Sequence, residues 1–420
     1  MIKLRLLASS IYSRKITVLL SIASICISVS LVIGIEKLST SAKKSFTNTI
    51  SATDVIVGAR SGNIQLLLYT VFGIGNATNN ITWTTYKDIS KRPEVEWAIP
   101  LSLGDSHKGF RVLGTTKEFF EHYRYRQKKP LAFKYGKPFA KTLDTVIGSD
   151  VASTLGYNLG DAIVVSHGIG KIETNLHDDQ PFTVVGILQK TGTPVDKTVH
   201  VSLQSIEAIH KNWKGGRRLK AQDALGEVQT ETKFVPREIT GALVGLKSRI
   251  QIFQFQRYIN NYRHEALSAI LPGVALQELW SLISTAETAL IAISTIVVMT
   301  SFLGMITMIL ATLNERRREM AILRAIGASP AAIAGLMIAE ASLIILAGII
   351  SGFTLIYAGL VVFRSTIDQI SGIYIDIGFP TDTELFAVIG IFIIGCLCSL
   401  IPAWRAYLIS VTNGFHSQTG

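Results

Sequence analysis

Four stretches of this chain are long, apolar and uncharged enough to cross a bilayer, and they restrict the fold more than any other feature. Membrane hydrocarbon is about 30 Å thick, and a helix needs roughly 20 apolar residues to span it. Residues 16–35 carry no charge, residues 288–313 are bounded by Glu287 and Glu315, residues 331–363 carry only Glu340, and residues 385–404 carry none. Buried helices of a water-soluble protein rarely run so far without a charged side chain. Only 17% of the 420 residues are charged while 48% are hydrophobic, and the mean hydropathy is +0.37. Apolar residues gathered in blocks exclude intrinsic disorder, a collagen-like repeat and a disulfide-stapled miniprotein.

The basic residues give the expected topology. Lys3, Arg5, Arg14 and Lys15 precede the first block, Arg316, Arg317, Arg318 and Arg324 lie between the second and third, and Arg405 follows the fourth. The loop between the third and fourth sets Arg364 against Asp368, Asp376, Asp382 and Glu384. The excess of Lys and Arg marks cytoplasmic loops, so both termini are expected in the cytoplasm of an inner-membrane protein. The first block is longer than the 7–15 residues of a signal-peptide core and reads as an uncleaved anchor. Ahead of it, Leu4, Leu7 and Ile11 share one face of a short interfacial helix. The expected layout is an interfacial helix at 1–15, spans at 16–36, 283–313, 331–363 and 385–404, and an extracytoplasmic insert at 37–282. A cytoplasmic connector lies at 314–330, an outer loop at 364–384 and a cytoplasmic tail at 405–420. The fold class is therefore membrane α-helical, with four transmembrane helices and a large α+β extracytoplasmic domain inserted between helices 1 and 2.

The insert alternates short β-branched runs with helical ones. Strands are predicted at 54–57, 111–113, 162–166, 182–187, 199–202 and 242–246. Helices are predicted at 149–155, stopped by Gly156, at 203–210, and at 253–271 leading into the second span. Two lobes are expected, and residues 213–237, rich in Gly, Lys and Arg, read as an irregular excursion. Cys26, Cys396 and Cys398 all fall in the apolar blocks, so the insert holds no disulfide and no cysteine-based zinc site. Residues 37–287 carry 31 Lys and Arg against 22 Asp and Glu. The run Tyr123-Arg-Tyr-Arg126 followed by Lys128-Lys129 is read as a solvated face or a contact with anionic lipid rather than a nucleic-acid site.

The connector carries the most information. Met320, Ile322, Leu323, Ala325 and Ile326 form the apolar side of a short helix, with arginines on the other side. Gly327 can end it and Pro330 can begin the next. Such a helix can rest at the membrane interface, or its apolar face can enter a groove on a cytoplasmic partner.

The run Glu315-Arg-Arg-Arg-Glu-Met-Ala-Ile-Leu-Arg-Ala-Ile-Gly-Ala328 resembles the signature of the FtsX-like permeases, the membrane subunits of MacB- and LolC/LolE-type ABC transporters. Glu340-Ala341 with Gly348 and Gly352 is similar to the third span of that family. Residues 146–161 and 182–193 resemble elements of the MacB-type periplasmic core. The tail departs from the family pattern at Trp404 and over 411–415. The resemblance implies a permease that pairs with a second copy or a paralogue, sits on a separate ABC ATPase, and transmits ATP-driven motion to its outer domain for export, extraction or regulation of an extracytoplasmic substrate. It implies ATP and Mg on the ATPase and no cofactor on this chain. A periplasmic adaptor or substrate-binding protein is a further implied partner, alongside membrane lipids. The coupling set is Glu315, Arg317, Arg318, Glu319, Met320, Leu323, Arg324, Ile326 and Gly327, with Met320, Leu323 and Ile326 entering the groove. The sequence itself has no Gly-x-x-x-x-Gly-Lys-[Ser/Thr] phosphate loop, so the chain is not expected to be an enzyme.

Three further features are weighed. Glu340, a carboxylate inside a span, is expected to bond between helices rather than relay protons. Gly348 and Gly352 make a small-x-x-x-small face for close helix packing, within the chain or across a dimer. His167, His177, Asp178 and Asp179 are suitable divalent-metal ligands without a spacing that fixes a site, and are read first as a solvated loop. A membrane-anchored sensor or scaffold without an ATPase, possible metal ligands included, is the competing class.

Overall fold

The computed structural model describes residues 14–167, 180–210, 213–214, 217–218, 234–315, 317–371 and 377–415. In chain order, helix α1 (Lys15–Thr49) leads into the insert. There follow β1 (Val55–Ala59), α2 (Asn63–Val71), α3 (Trp83–Ser90), β2 (Val95–His107), β3 (Phe110–Thr115), α4 (Glu118–His122), β4 (Phe133–Gly136), β5 (Asp144–Ile147) and α5 (Ser149–Leu155). Next come β6 (Phe182–Leu188), β7 (Thr198–Ser202), α6 (Leu203–His210), β8 (Gly241–Leu246), α7 (Ile252–Asn260) and β9 (Leu267–Ile270). The chain closes with α8 (Pro272–Glu315), α9 (Arg317–Ala325), α10 (Pro330–Ser371) and α11 (Asp382–Phe415).

Four helices, α1, α8, α10 and α11, are long and apolar enough to cross a membrane. Each continues beyond its apolar block: α8 has 44 residues, about 66 Å at 1.5 Å per residue, twice what the hydrocarbon requires. Their shared interior is apolar, built from Ile25, Val29 and Ile33 of α1, Phe302, Met305 and Ile309 of α8, Ile344, Ile345 and Ile349 of α10, and Ala403 and Ala406 of α11. Hydroxyls join α1 to α8: Ser24 Oγ is 3.0 Å from Ser301 Oγ, and Ser28 Oγ is 2.5 Å from the same atom. In lipid, where no hydrophobic drive brings helices together, each such bond contributes roughly 0.6 kcal/mol.

The insert is a mixed sheet with helices packed on it, in the order β9-β1-β8-β2-β3-β7-β5-β6-β4, with two short strands, Ala162–Ile163 and Ser166–His167, attached to β6 and β2. The β3–β7 and β5–β6 pairs are parallel and the remaining pairs antiparallel. The two expected lobes share β2, whose first half pairs with β8 and whose second half pairs with β3. Both faces of β1 and β8 are covered, so their side chains are buried throughout. The last turns of α1 and the first of α8 belong to this domain's core, where Phe46 packs on Phe72 and Trp280 with ring centroids 4.4 and 5.4 Å apart.

Each predicted strand has its counterpart, with bounds shifted by a residue or two, and the 162–166 run divides into two short strands. Helix α5 ends as expected at Gly156, in the left-handed region at φ 72°. The helix expected over 253–271 is corrected. It stops at Asn260, and residues 267–270 instead form β9, in register with β1 from Leu267↔Ala59 to Ile270↔Ile56. The open edge of β1 offers backbone partners, and Asn260 Oδ1 accepts from the Ala269 backbone N–H at 2.8 Å, diverting it from a helical bond. Most of the expected 213–237 excursion and nearly all of the 1–15 interfacial helix lie outside the described residues.

Candidate functional site

The connector between the second and third spans folds as expected into the short helix α9, but its apolar residues divide between two surroundings. Met320 is 6% exposed and belongs to the interior of the membrane bundle with Ile333 and Met337 of α10 and Ala403 and Ala406 of α11. Leu323 is half-buried, while Glu319 and Arg324 are exposed. Ile322 and Ile326, four residues apart and so on one face, are 53% and 79% exposed. Met320 is therefore corrected: it holds α9 against its own chain and is not on the free face. The free apolar face is Ile322 and Ile326, with Leu323 at its edge. The helical spacing of 320, 323 and 326 suggested one stripe, but the end of α11 covers the first of the three.

The turn after α9 is closely bonded. Ala328 N–H donates to Leu323 O at 2.9 Å and Gly327 N–H to Arg324 O at 2.9 Å. Gly327 sits at φ 99°, a conformation that costs a side-chain-bearing residue energy. The Arg324 guanidinium donates to Ala328 O at 3.1 Å. Two residues on, Ser329 Oγ accepts from Ala332 N–H at 3.2 Å and Pro330 opens α10, a combination suited to a helix start. Glu315 is the last residue of α8, and Arg317 and Arg318 form the first turn of α9. Arg316 lies outside the described residues.

Glu340 and Arg14 form an ion pair at 3.4 Å between α10 and the residue preceding α1. Gly348 and Gly352 face α1 within the same chain. A β-carbon on Gly348 would stand 2.6 Å from an Ile25 methyl, and one on Gly352 would stand 2.7 Å from the Cys26 carbonyl oxygen. Ser30 Oγ donates to Gly352 O at 2.9 Å in the same crossing.

One cluster was not foreseen from the sequence. Lys37 Nζ lies 3.4 Å from Glu384 Oε1, and the Tyr357 hydroxyl donates to Glu384 Oε2 at 2.9 Å. Lys37 is also 3.3 Å from that hydroxyl. The three side chains come from α1, α10 and α11, and both charged residues are buried. In sequence, Lys37 and Glu384 flank apolar blocks and read as charges for the membrane surface. Only their pairing across the chain reveals the buried site.

In the insert, His200 on β7 is fully buried against Phe119 and Phe120, with ring centroids 5.2 and 5.8 Å away. Burial pushes its imidazole down to about 4, and the Val146 backbone opposite offsets only part of that. Asp196 is also buried and its carboxyl is pushed up by burial, although backbone N–H groups of Thr191 and Gly192 donate to it at 2.8 and 2.7 Å. Of the weighed metal ligands, His177, Asp178 and Asp179 lie outside the described residues, and His167 is in a two-residue strand opposite Asp105. Among the described residues, no group of three or more His, Cys, Asp and Glu side chains is placed to hold a metal ion.

Four apolar helices and a sheet domain inserted between the first and second define a multi-pass membrane protein with one large domain outside its spans. The family profile of the MacB-like periplasmic core domain matches residues 18–262, more than half of the chain, and that of the FtsX-like permease C-terminal region matches residues 291–411. The chain belongs to the FtsX/MacB-type family of ABC-transporter permeases. It is similar to the solved periplasmic region of MacB from Actinobacillus actinomycetemcomitans, at 10% identity and a TM-score of 0.34, over 56% of this chain and 95% of that one. It is also similar to the extracellular domain of YknZ, a noncanonic ABC-type transporter of Gram-positive bacteria, at 14% identity and a TM-score of 0.30, over 52% of this chain and 99% of that one. No curated protein sequence matches it.

Proposed function

We propose that this chain is the permease subunit of an ABC complex in which a separate ATPase, carrying ATP and Mg, drives motion that the spans pass to the extracytoplasmic domain. The single observation that carries the reading is α9: a short helix between two span-length helices, anchored through Met320 and presenting Ile322 and Ile326 outward. Two exposed aliphatic residues at i and i+4, rimmed by Glu319 and Arg324, suit insertion into a groove of a folded partner. In this reading both termini and α9 are cytoplasmic, as the basic residues around them favour, and the insert is periplasmic or extracellular. The complex contains two permease chains, identical or paralogous, and acts on an extracytoplasmic substrate or protein by transmitting mechanical work.

Purification of the tagged full chain in mild detergent, with mass spectrometry of what is retained, tests this directly. The expected result is an ABC ATPase at equal stoichiometry, lost when Leu323→Asp or Ile326→Asp is introduced. Repeated isolation of an intact permease dimer without an ATPase would instead establish a membrane sensor or scaffold.

A further inference from the structure

Helix α7 presents two different faces. Phe255 and Ile259 are fully buried under the sheet, which fixes the helix in place. On the opposite face Phe253 is 72% exposed, and Ile250, in the turn just before, is 91% exposed. Phe253 and Arg257 share a face at i and i+4. Beside them is a pocket of about 500 Å³ lined by Gln254, Arg257, Tyr258, Asn261, Tyr262, Arg263 and His264. No carboxylate lines it. Of the neighbouring acids, Glu265 accepts from the Thr82 backbone N–H at 3.0 Å, and Asp88 accepts from the hydroxyl of Tyr262, at the edge of the pocket, at 2.8 Å. Among the described residues, Arg257, Arg263 and His264 have no ion-pair partner within 4.0 Å.

The aromatic floor is held in place before anything binds. The Arg92 guanidinium lies 3.6 Å from the centre of the Tyr258 ring and is itself fixed by Glu94 at 2.6 Å. Tyr262 stands edge-on to Tyr258 and to His264, with centroids 5.9 and 5.6 Å apart. A rigid tyrosine platform, uncompensated arginines and two exposed large apolar residues have the composition of a protein-docking hot spot. The surplus positive charge selects the sign of the partner.

We propose that this face of the insert, centred on Phe253, Arg257, Tyr262 and Arg263, docks an acidic segment of another extracytoplasmic protein, a segment that carries Asp or Glu beside a large apolar side chain. Its carboxylates pair with the two arginines, and its apolar side chain covers Phe253 and Ile250. The proposal rests on the reading of the insert as extracytoplasmic and is independent of whether an ATPase drives the chain.

The test is photocrosslinking in cells with the full-length chain, with Phe253 replaced by p-benzoyl-phenylalanine. The expected product is an adduct with an extracytoplasmic protein, mapped by mass spectrometry to a segment rich in Asp and Glu. The double change Arg257→Glu and Arg263→Glu should reduce the adduct by about tenfold or more, as loss of a hot spot does, and the same crosslinker at exposed Leu159 should not yield it. If the double variant fails to reach the membrane, salt sensitivity of the purified adduct partner's non-covalent complex with the unmodified chain replaces it; binding unchanged by salt overturns the proposal. Adducts only with lipid, only with a second copy of this chain, with a segment lacking acids, or with nothing also overturn it. Co-purification of the ATPase is scored on the same cells, so a failed docking face and a failed permease assignment give different results.

Discussion

Met320 and Ile326 lie within the same short connector, yet the first is enclosed by the bundle's own interior and the second is 79% exposed. One residue fixes where the helix sits, and the other is available for contact. The two positions should therefore fail differently. Met320→Asp places a charge in an apolar core and should lower the yield and melting temperature of the purified chain. Ile326→Asp should leave both unchanged while abolishing association with the ATPase, read by co-purification. If Met320→Asp folds normally, the anchoring role is wrong; if Ile326→Asp retains the ATPase, the contact face is wrong.

The pair of Lys37 and Glu384 is enclosed, so removing one charge strands the other. Glu384→Gln should destabilise the bundle by roughly 3–5 kcal/mol, as breaking a buried pair does. Adding Lys37→Met to it should recover most of that loss, since glutamine still accepts from Tyr357. The measurement is thermal unfolding of the three proteins in one detergent. A double variant as unstable as the single one would show that the charges do not act as a pair.

Gly352 meets the backbone of α1, whereas Gly359, two turns further along α10, has nothing within 4 Å of the place a β-carbon would occupy. Gly352→Ala should cost about 1–3 kcal/mol by overpacking, and Gly359→Ala should be neutral or slightly stabilising. Equal melting temperatures for the two variants would remove the close crossing of α1 and α10.

His200 gives the insert a defined response to acid. Its imidazole is held down at about 4 from an ordinary 6.5, so between these values the unfolded chain binds a proton that the folded one refuses. Stability from this group is complete above pH 6.5 and declines as the pH falls towards 4, by an amount on the order of 3 kcal/mol. His200→Leu should flatten that part of the curve without loss at neutral pH. Unfolding monitored by tryptophan fluorescence from pH 7.5 to 4 checks it, and an unchanged slope would show that other groups carry the acid sensitivity.

The spans and the connector were legible because their signals are local: twenty residues without charge, or a helix closed by Gly327 and followed by Pro330. Helix α5 was legible for the same reason, through Gly156. Strand β2 was not, because Pro100 and Gly104 interrupt it and both disfavour a central strand. It tolerates Pro100 at a point where register with β8 places Ala242 opposite, while pairing with β3 begins at Ser102. Strand β9 resembles a helix in sequence because Ala266 to Leu271 has no turn signal, and pairing with the edge of β1 makes it a strand. The buried pair was illegible for a stronger reason: no local pattern links Lys37 to a carboxylate that arrives in the last span. The inward turn of Met320 likewise depends on α11, far away in sequence.

That same separation has a consequence for assembly. A chain made from its N-terminus brings Lys37 to the membrane long before Glu384 exists. Until α11 is in place, the lysine lacks the carboxylate it meets in the folded chain. The arrival of the last helix therefore completes the first one.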